Sequence, residues 1–140
     1  MSHVSDDMAV IRQYYDLFNN RRLDDAAALV AADCTFVHVP TRERATGPAG
    51  YLLLASEWLA AAPDAHTAIV SITPLDEGRY CVVLRGTGHR TKHVEVSPRR
   101  PVSSDSPSFQ FTAVQDVWIR DGQLASATLT YDALALAGRP

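Results

Sequence analysis

The side chains in this 140-residue sequence best suited to chemistry are His38, Asp116 and Tyr14. A histidine titrates near neutral pH and can accept or return a proton there. His38 shares a strand face with Cys34 and Phe36, so it points either into a pocket or into the core, or is exposed if the register is reversed; a satisfied structural histidine is the plainer reading. Asp116 stands between Val114 and Trp118 on what is expected to be an inward face, where a carboxyl group is costly unless it is paired or kept protonated. An outward face, or partnership with an arginine, is the alternative. Tyr14 belongs to an apolar helix stripe, and its hydroxyl serves either a ligand or a core acceptor.

Around these, Tyr15, Phe18, Trp58 and Trp118 can wall a flat apolar ligand, although at helical or strand spacing such aromatics are ordinarily plain core. Asp132 ends the last expected strand, as a ligand contact or as a cap for the C-terminal segment. His89 and His93 are four apart, a metal spacing on a helix, but Gly86 and Gly88 make the segment a loop, and no metal site is expected. Cys34 and Cys81 fall inside expected strands as buried thiols.

Elements must position these groups. Ser5, Asp6 and Asp7 have the chemistry of a helix start, and Ile11, Tyr14, Tyr15 and Phe18 then recur on one face. A second stripe, Leu23, Ala26, Ala27 and Val30, predicts a short helix ending near Ala32. Cys34 to Val39 reads as a strand stopped by Pro40. Gly47 and Pro48 open a third helix, with Tyr51, Leu54 and Trp58 in its stripe and Pro63 beyond its end. Four strands follow, at about 66–73, 79–87, 109–120 and 124–132, the last two joined by an Asp121-Gly122 turn. From Gly88 to Pro107 lie three prolines, four serines and four Lys/Arg residues in twenty positions. This segment, residues 89–107, is expected to be a long loop, either a lid or disordered. Its Arg90, Lys92, Arg99 and Arg100 either greet an anionic substrate or simply face solvent.

The order helix, helix, strand, helix, then four strands predicts one α+β domain over residues 1–140, with a curved antiparallel sheet and three N-terminal helices forming a cone around an internal pocket. With 46% hydrophobic and 21% charged residues the chain has ordinary globular composition, and a formal charge of −3 leaves no surplus basicity for a phosphate backbone. Nucleic acid and membrane are not expected as partners. The polar, acidic N-terminus does not resemble a leader, and the expected location is cytoplasmic.

Several stretches carry a resemblance: RQYYDLFNNRRLDDAAALVAADCTFVHVP (residues 12–40), Gly47 opening the third helix, Pro63-Asp64 after it, Gly86-Thr87-Gly88, and the ending DGQLASATLTYDALALAG (residues 121–138). From Val10 to Leu136 the sequence resembles the SnoaL-like polyketide cyclase and ketosteroid isomerase-like branch of the nuclear transport factor superfamily. The resemblance implies the cystatin-like α+β cone, a homodimer, and cofactor-independent acid/base chemistry next to a carbonyl on a small apolar molecule, as an isomerase or lyase (isomerase, cyclase or dehydratase). The alternative in this superfamily is a non-catalytic small-ligand binding or dimerisation module. In the isomerase pattern a helix tyrosine and a protonated aspartate bind an enolate oxygen while a second acid moves the proton. Tyr14 matches the tyrosine, Asp116 the oxyanion aspartate, and the base falls on His38, a departure from the carboxylate of the pattern. Of the late cyclase pattern, a tryptophan and an acid on the last strand and another acid at its end, only the final acid is kept, as Asp132, with Thr128 and Leu129 in the other two positions.

Overall fold

The computed structural model describes residues 3–89, 95–97, 100–101 and 108–131. Three helices, α1 (His3–Asn19), α2 (Leu23–Ala27) and α3 (Gly47–Ala61), accompany eight strands: β1 (Val30–His38), β2 (Glu43–Thr46), β3 (His66–Pro74), β4 (Arg79–His89), β5 (Glu95–Ser97), β6 (Arg100–Pro101), β7 (Ser108–Arg120) and β8 (Gln123–Tyr131). Six strands form one curved, unclosed sheet in the order β2-β1-β8-β7-β4-β3. The α+β class is therefore as expected.

The sheet departs from the expectation of a wholly antiparallel one at a single junction. β1 pairs β8 in parallel, Thr35 opposite Ser126 through His38 opposite Leu129. These strands are the first and last of the sheet in sequence, so their pairing is a long-range closure that no local turn signal announces. The remaining neighbours, β1–β2, β3–β4, β4–β7 and β7–β8, are antiparallel. Register shifts at Ile69/Ser71 and Trp118/Ile119 mark bulges, which bend a strand and increase its local twist.

α1 buries Ile11, Tyr14, Tyr15 and Phe18, the stripe that its sequence spacing sets on one face. It begins two residues before Ser5 and ends where Arg21 turns left-handed (φ 63°), with the Arg22 amide reaching back to the Leu17 carbonyl at 2.8 Å. The Arg21 guanidinium donates to the Pro63 and Ala65 carbonyls at 2.7 Å each, tying the end of α1 to the connection between α3 and β3. Beside it, the Asn19 amide donates to the Thr67 carbonyl (2.8 Å) and its oxygen accepts from the Thr67 N–H (2.9 Å).

α2 is shorter than its apolar stripe suggested. The chain leaves the helix after Ala27, and the Leu29 carbonyl accepts from the Leu124 N–H at 2.8 Å, so Leu29 and Val30 are drawn into the sheet. At the start of α3, Gly47 is left-handed (φ +71°), and a Cβ there would lie 2.8 Å from the Ala32 carbonyl oxygen. Only glycine meets both demands. Within the segment 89–107, β5 and β6 pair with each other and not with the main sheet. The rest of that segment, with Arg90, Lys92, His93 and Arg99, lies outside the described residues, as does Asp132.

Candidate functional site

The helices and the concave face of the sheet enclose a cavity of about 400 Å³. Its side chains come from α1 (Tyr14, Tyr15, Phe18), β1 (Phe36, His38), α3 (Tyr51, Leu54, Trp58), β7 (Phe111, Ala113, Gln115) and β8 (Leu129, Tyr131), with Thr41 and Glu43 at the β1–β2 turn. Of the residues singled out in sequence, Tyr14, His38, Tyr15, Phe18 and Trp58 therefore line one cavity.

Asp116 and Trp118 do not. Along β7 the buried residues are Phe109, Ala113, Gln115, Val117 and Ile119, whereas Val114 and Asp116 are exposed. Alternation puts Asp116 on the opposite face of the sheet, with Trp118 beside it. The expectation of an inward Asp116 and Trp118 is thus corrected by one position of register. The signal was in the sequence: the odd-numbered face holds Phe109, Phe111, Ala113, Val117 and Ile119, a more apolar set than Val114 and Trp118. Trp118 instead packs with two guanidiniums, Arg79 at 5.1 Å and Arg120 at 5.4 Å from its ring. Arg120 also bonds Asp33 at 2.6 Å.

The inner part of the cavity is a tyrosine cluster. The Tyr14 ring lies 5.0 Å from that of Tyr15, edge-on, and 5.3 Å from that of Tyr51. Burial raises all three phenol pKa values well above the usual range, with repulsion from neighbouring charged phenols adding to it at Tyr14 and Tyr15, so they remain neutral hydrogen-bond donors. Among the described residues, three buried polar atoms of the cavity lining have no hydrogen-bond partner: the hydroxyls of Tyr15 and Tyr51, and Oε1 of Gln115. Buried polar groups are ordinarily satisfied, and an orphan costs about 1 to 3 kcal/mol. Tyr51 and Gln115 were missed as site residues in the sequence, Tyr51 because it reads as one more member of the α3 stripe.

Nearer the mouth, Nδ1 of His38 lies 3.8 Å from Oε1 of Glu43, which also accepts from the Thr41 hydroxyl at 3.0 Å. Burial lowers the pKa of His38 from 6.5, and the Glu43 carboxylate opposes that shift. At neutral pH the imidazole is therefore mostly uncharged and can accept a proton. Tyr131 stands edge-on to it with ring centres 6.1 Å apart, and Phe111, Trp58 and Phe109 continue the aromatic wall at 5.3 to 6.1 Å spacings. Among the described residues no group of three His, Cys, Asp or Glu side chains is placed to hold a metal ion. His89 instead joins Asp64, Nδ1 to Oδ2 at 2.6 Å, on the surface. No helix among the described residues is long and apolar enough to cross a membrane.

The arrangement can seat an apolar molecule, take a proton from it at His38, and meet charge that develops on its oxygen with phenolic O–H donors. A model of the SnoaL-like domain matches residues 11–127. No curated protein matches the chain. Among solved structures, a candidate SnoaL-like polyketide cyclase from Jannaschia sp. CCS1 superposes with a TM-score of 0.78 at 13% identity, over 100% of this chain and 98% of that one. A candidate ketosteroid isomerase from Kribbella flavida gives 0.68 at 21% identity, over 91% and 78%. A protein of ketosteroid isomerase-like fold from Catenulispora acidiphila, solved in complex with trimethylamine, gives 0.75 at 16% identity, over 94% and 93%. At these identities the likeness is one of fold.

Proposed function

The chain belongs to the SnoaL-like domain family, and on that premise we propose that it is a cofactor-independent enzyme acting next to a carbonyl group of a small, mostly apolar molecule. The observation that carries this reading is a single apolar cavity holding both a neutral histidine and unpartnered tyrosine hydroxyls. His38 removes a proton from the carbon beside the carbonyl, the electron pair of that C–H bond forms a carbon–carbon double bond, and the π pair of the carbonyl moves onto the oxygen. Hydroxyls of the Tyr14, Tyr15 and Tyr51 cluster donate to the resulting enolate, in a site where each such bond is worth more than in water. The protonated His38 then returns the proton at another carbon, giving an isomer; alternatively the enolate carbon attacks a second carbonyl, whose alkoxide takes the His38 proton, or the enolate expels a β-hydroxyl that leaves as water with that proton. Asp116, on the far face, takes no part.

Solvent-hydrogen exchange tests this without the natural substrate. With 2-tetralone as probe in D2O, wild type is expected to speed deuterium incorporation beside the carbonyl, and H38Q to lose about a hundredfold or more of that acceleration. Exchange at the buffer rate in both would leave the cavity a binding site without turnover. The same family reading makes the protein a homodimer through its outer sheet face, where Val114 is exposed; sedimentation equilibrium checks it.

A further inference from the structure

Gln115 is an amide at a position where every neighbour on the same face of the sheet is apolar. Across the strands it stands opposite Val82 and Leu129, and along β7 between Ala113 and Val117. The residue is only 6% exposed, and its Oε1 has no partner. A leucine or methionine would fill this place in a core with nothing left unsatisfied. The position is not core, however, but cavity wall, in the same lining as the Tyr15 and Tyr51 hydroxyls.

The three orphaned atoms are not equivalent. A phenolic hydroxyl can donate or accept, whereas an amide oxygen only accepts. Tyr15 and Tyr51 can thus be satisfied by a carbonyl oxygen on the ligand, but Gln115 Oε1 requires a donor. Among the described lining residues the ionisable side chains other than tyrosine are His38, Glu43 and Glu57, with no lysine or arginine. No permanent cation among them offsets the charge of a bound carboxylate.

We infer that Gln115 is a specificity residue whose Oε1 accepts a hydrogen bond from an O–H or N–H group on an uncharged ligand. Combined with the tyrosine hydroxyls of the same lining, this selects compounds carrying a hydroxyl or N–H together with the reacting carbonyl, and disfavours carboxylates. The inference deepens the proposed function and rests on it only in taking this cavity as the ligand site.

The test is binding rather than turnover, by calorimetric titration with three probes of one shape: 2-naphthol, 2-methoxynaphthalene and 2-naphthoate. Wild type is expected to bind the naphthol about tenfold tighter than the methyl ether, and the naphthoate more weakly than either. In Q115M the naphthol preference falls to about onefold while the ether binds as before. Equal affinity of wild type for naphthol and ether, naphthoate binding at least as tightly as naphthol, or no binding of naphthol overturns the inference. So does a preference that survives in Q115M, which would mean that water alone satisfies the amide. The wild-type series needs no variant to fold. Exchange and binding measured on the wild-type protein separate the two readings: an intact naphthol preference with exchange only at the buffer rate sinks catalysis alone, and exchange without the preference sinks only the role of Gln115.

Discussion

His38 and Glu43 face each other twice: they are opposite residues where β1 pairs with β2, and their side chains approach to 3.8 Å between Nδ1 and Oε1. The strand pairing thus fixes a carboxylate beside the one imidazole among the described residues of the cavity lining. Burial and this carboxylate pull the histidine in opposite directions, and burial prevails.

The balance predicts a pH signature. E43Q removes the opposing effect, so the His38 pKa should fall further, moving the acid limb of activity to lower pH; NMR titration of the imidazole protons checks it. Because the folded pKa lies below 6.5, the unfolded chain takes up the proton first as pH drops. The stability contributed by neutral His38 is therefore complete above 6.5 and is lost as pH falls toward the folded value, with no further loss below it. Urea midpoints should decline through that window more steeply in wild type than in H38Q.

Removing an orphaned hydroxyl should not weaken the fold. Y15F and Y51F are expected to hold or raise stability, by up to about 1 kcal/mol, since each deletes a buried group with no partner. Their turnover should nonetheless fall. Y80F provides the contrast, because the Tyr80 hydroxyl donates to Asp7 at 2.6 Å; it should lose about 1 kcal/mol. Thermal denaturation of the three variants reads the difference.

D116N should leave both turnover and stability where they are, within about 0.5 kcal/mol, because the side chain is exposed on the face away from the cavity. A loss of exchange activity in D116N would contradict the register of β7.

G86A should shrink the cavity. Gly86 is opposite Phe111 across β4 and β7, and a Cβ there would lie 2.5 Å from the ring. The ring must then tilt away from β4, costing about 1 to 3 kcal/mol, and large ligands should lose affinity before small ones. Denaturation and a size series of ketones measure the two effects.

Much of this was legible in sequence because it was written in local periodicity. The spacing of Ile11, Tyr14, Tyr15 and Phe18 set a buried helix face, and the Asp121-Gly122 turn set the β7–β8 hairpin. What escaped depended on distant partners. β2, with the sequence Glu43 to Thr46, has no apolar alternation and is a strand only because β1 lies beside it. Val30 fits the stripe of the second helix until the start of β8 claims it, with the Leu29 carbonyl accepting from the Leu124 N–H. Asp116 faces outward because the aromatic and aliphatic content of the odd-numbered face sets the parity of β7, which a single acid on the even-numbered face does not reveal. Gln115 went unnoticed because a lone glutamine carries no signal until its neighbours are known to be apolar.

The Asn19 amide bonded to Thr67 in both directions has a further consequence. β3 is a terminal strand of the sheet, and such a strand offers free backbone groups to any extended chain that drifts past. At Thr67 the two groups are already engaged by a side chain that imitates a peptide unit. The helix that walls the cavity thereby also shields part of the open margin of the sheet from fibril-like stacking of one molecule on the next.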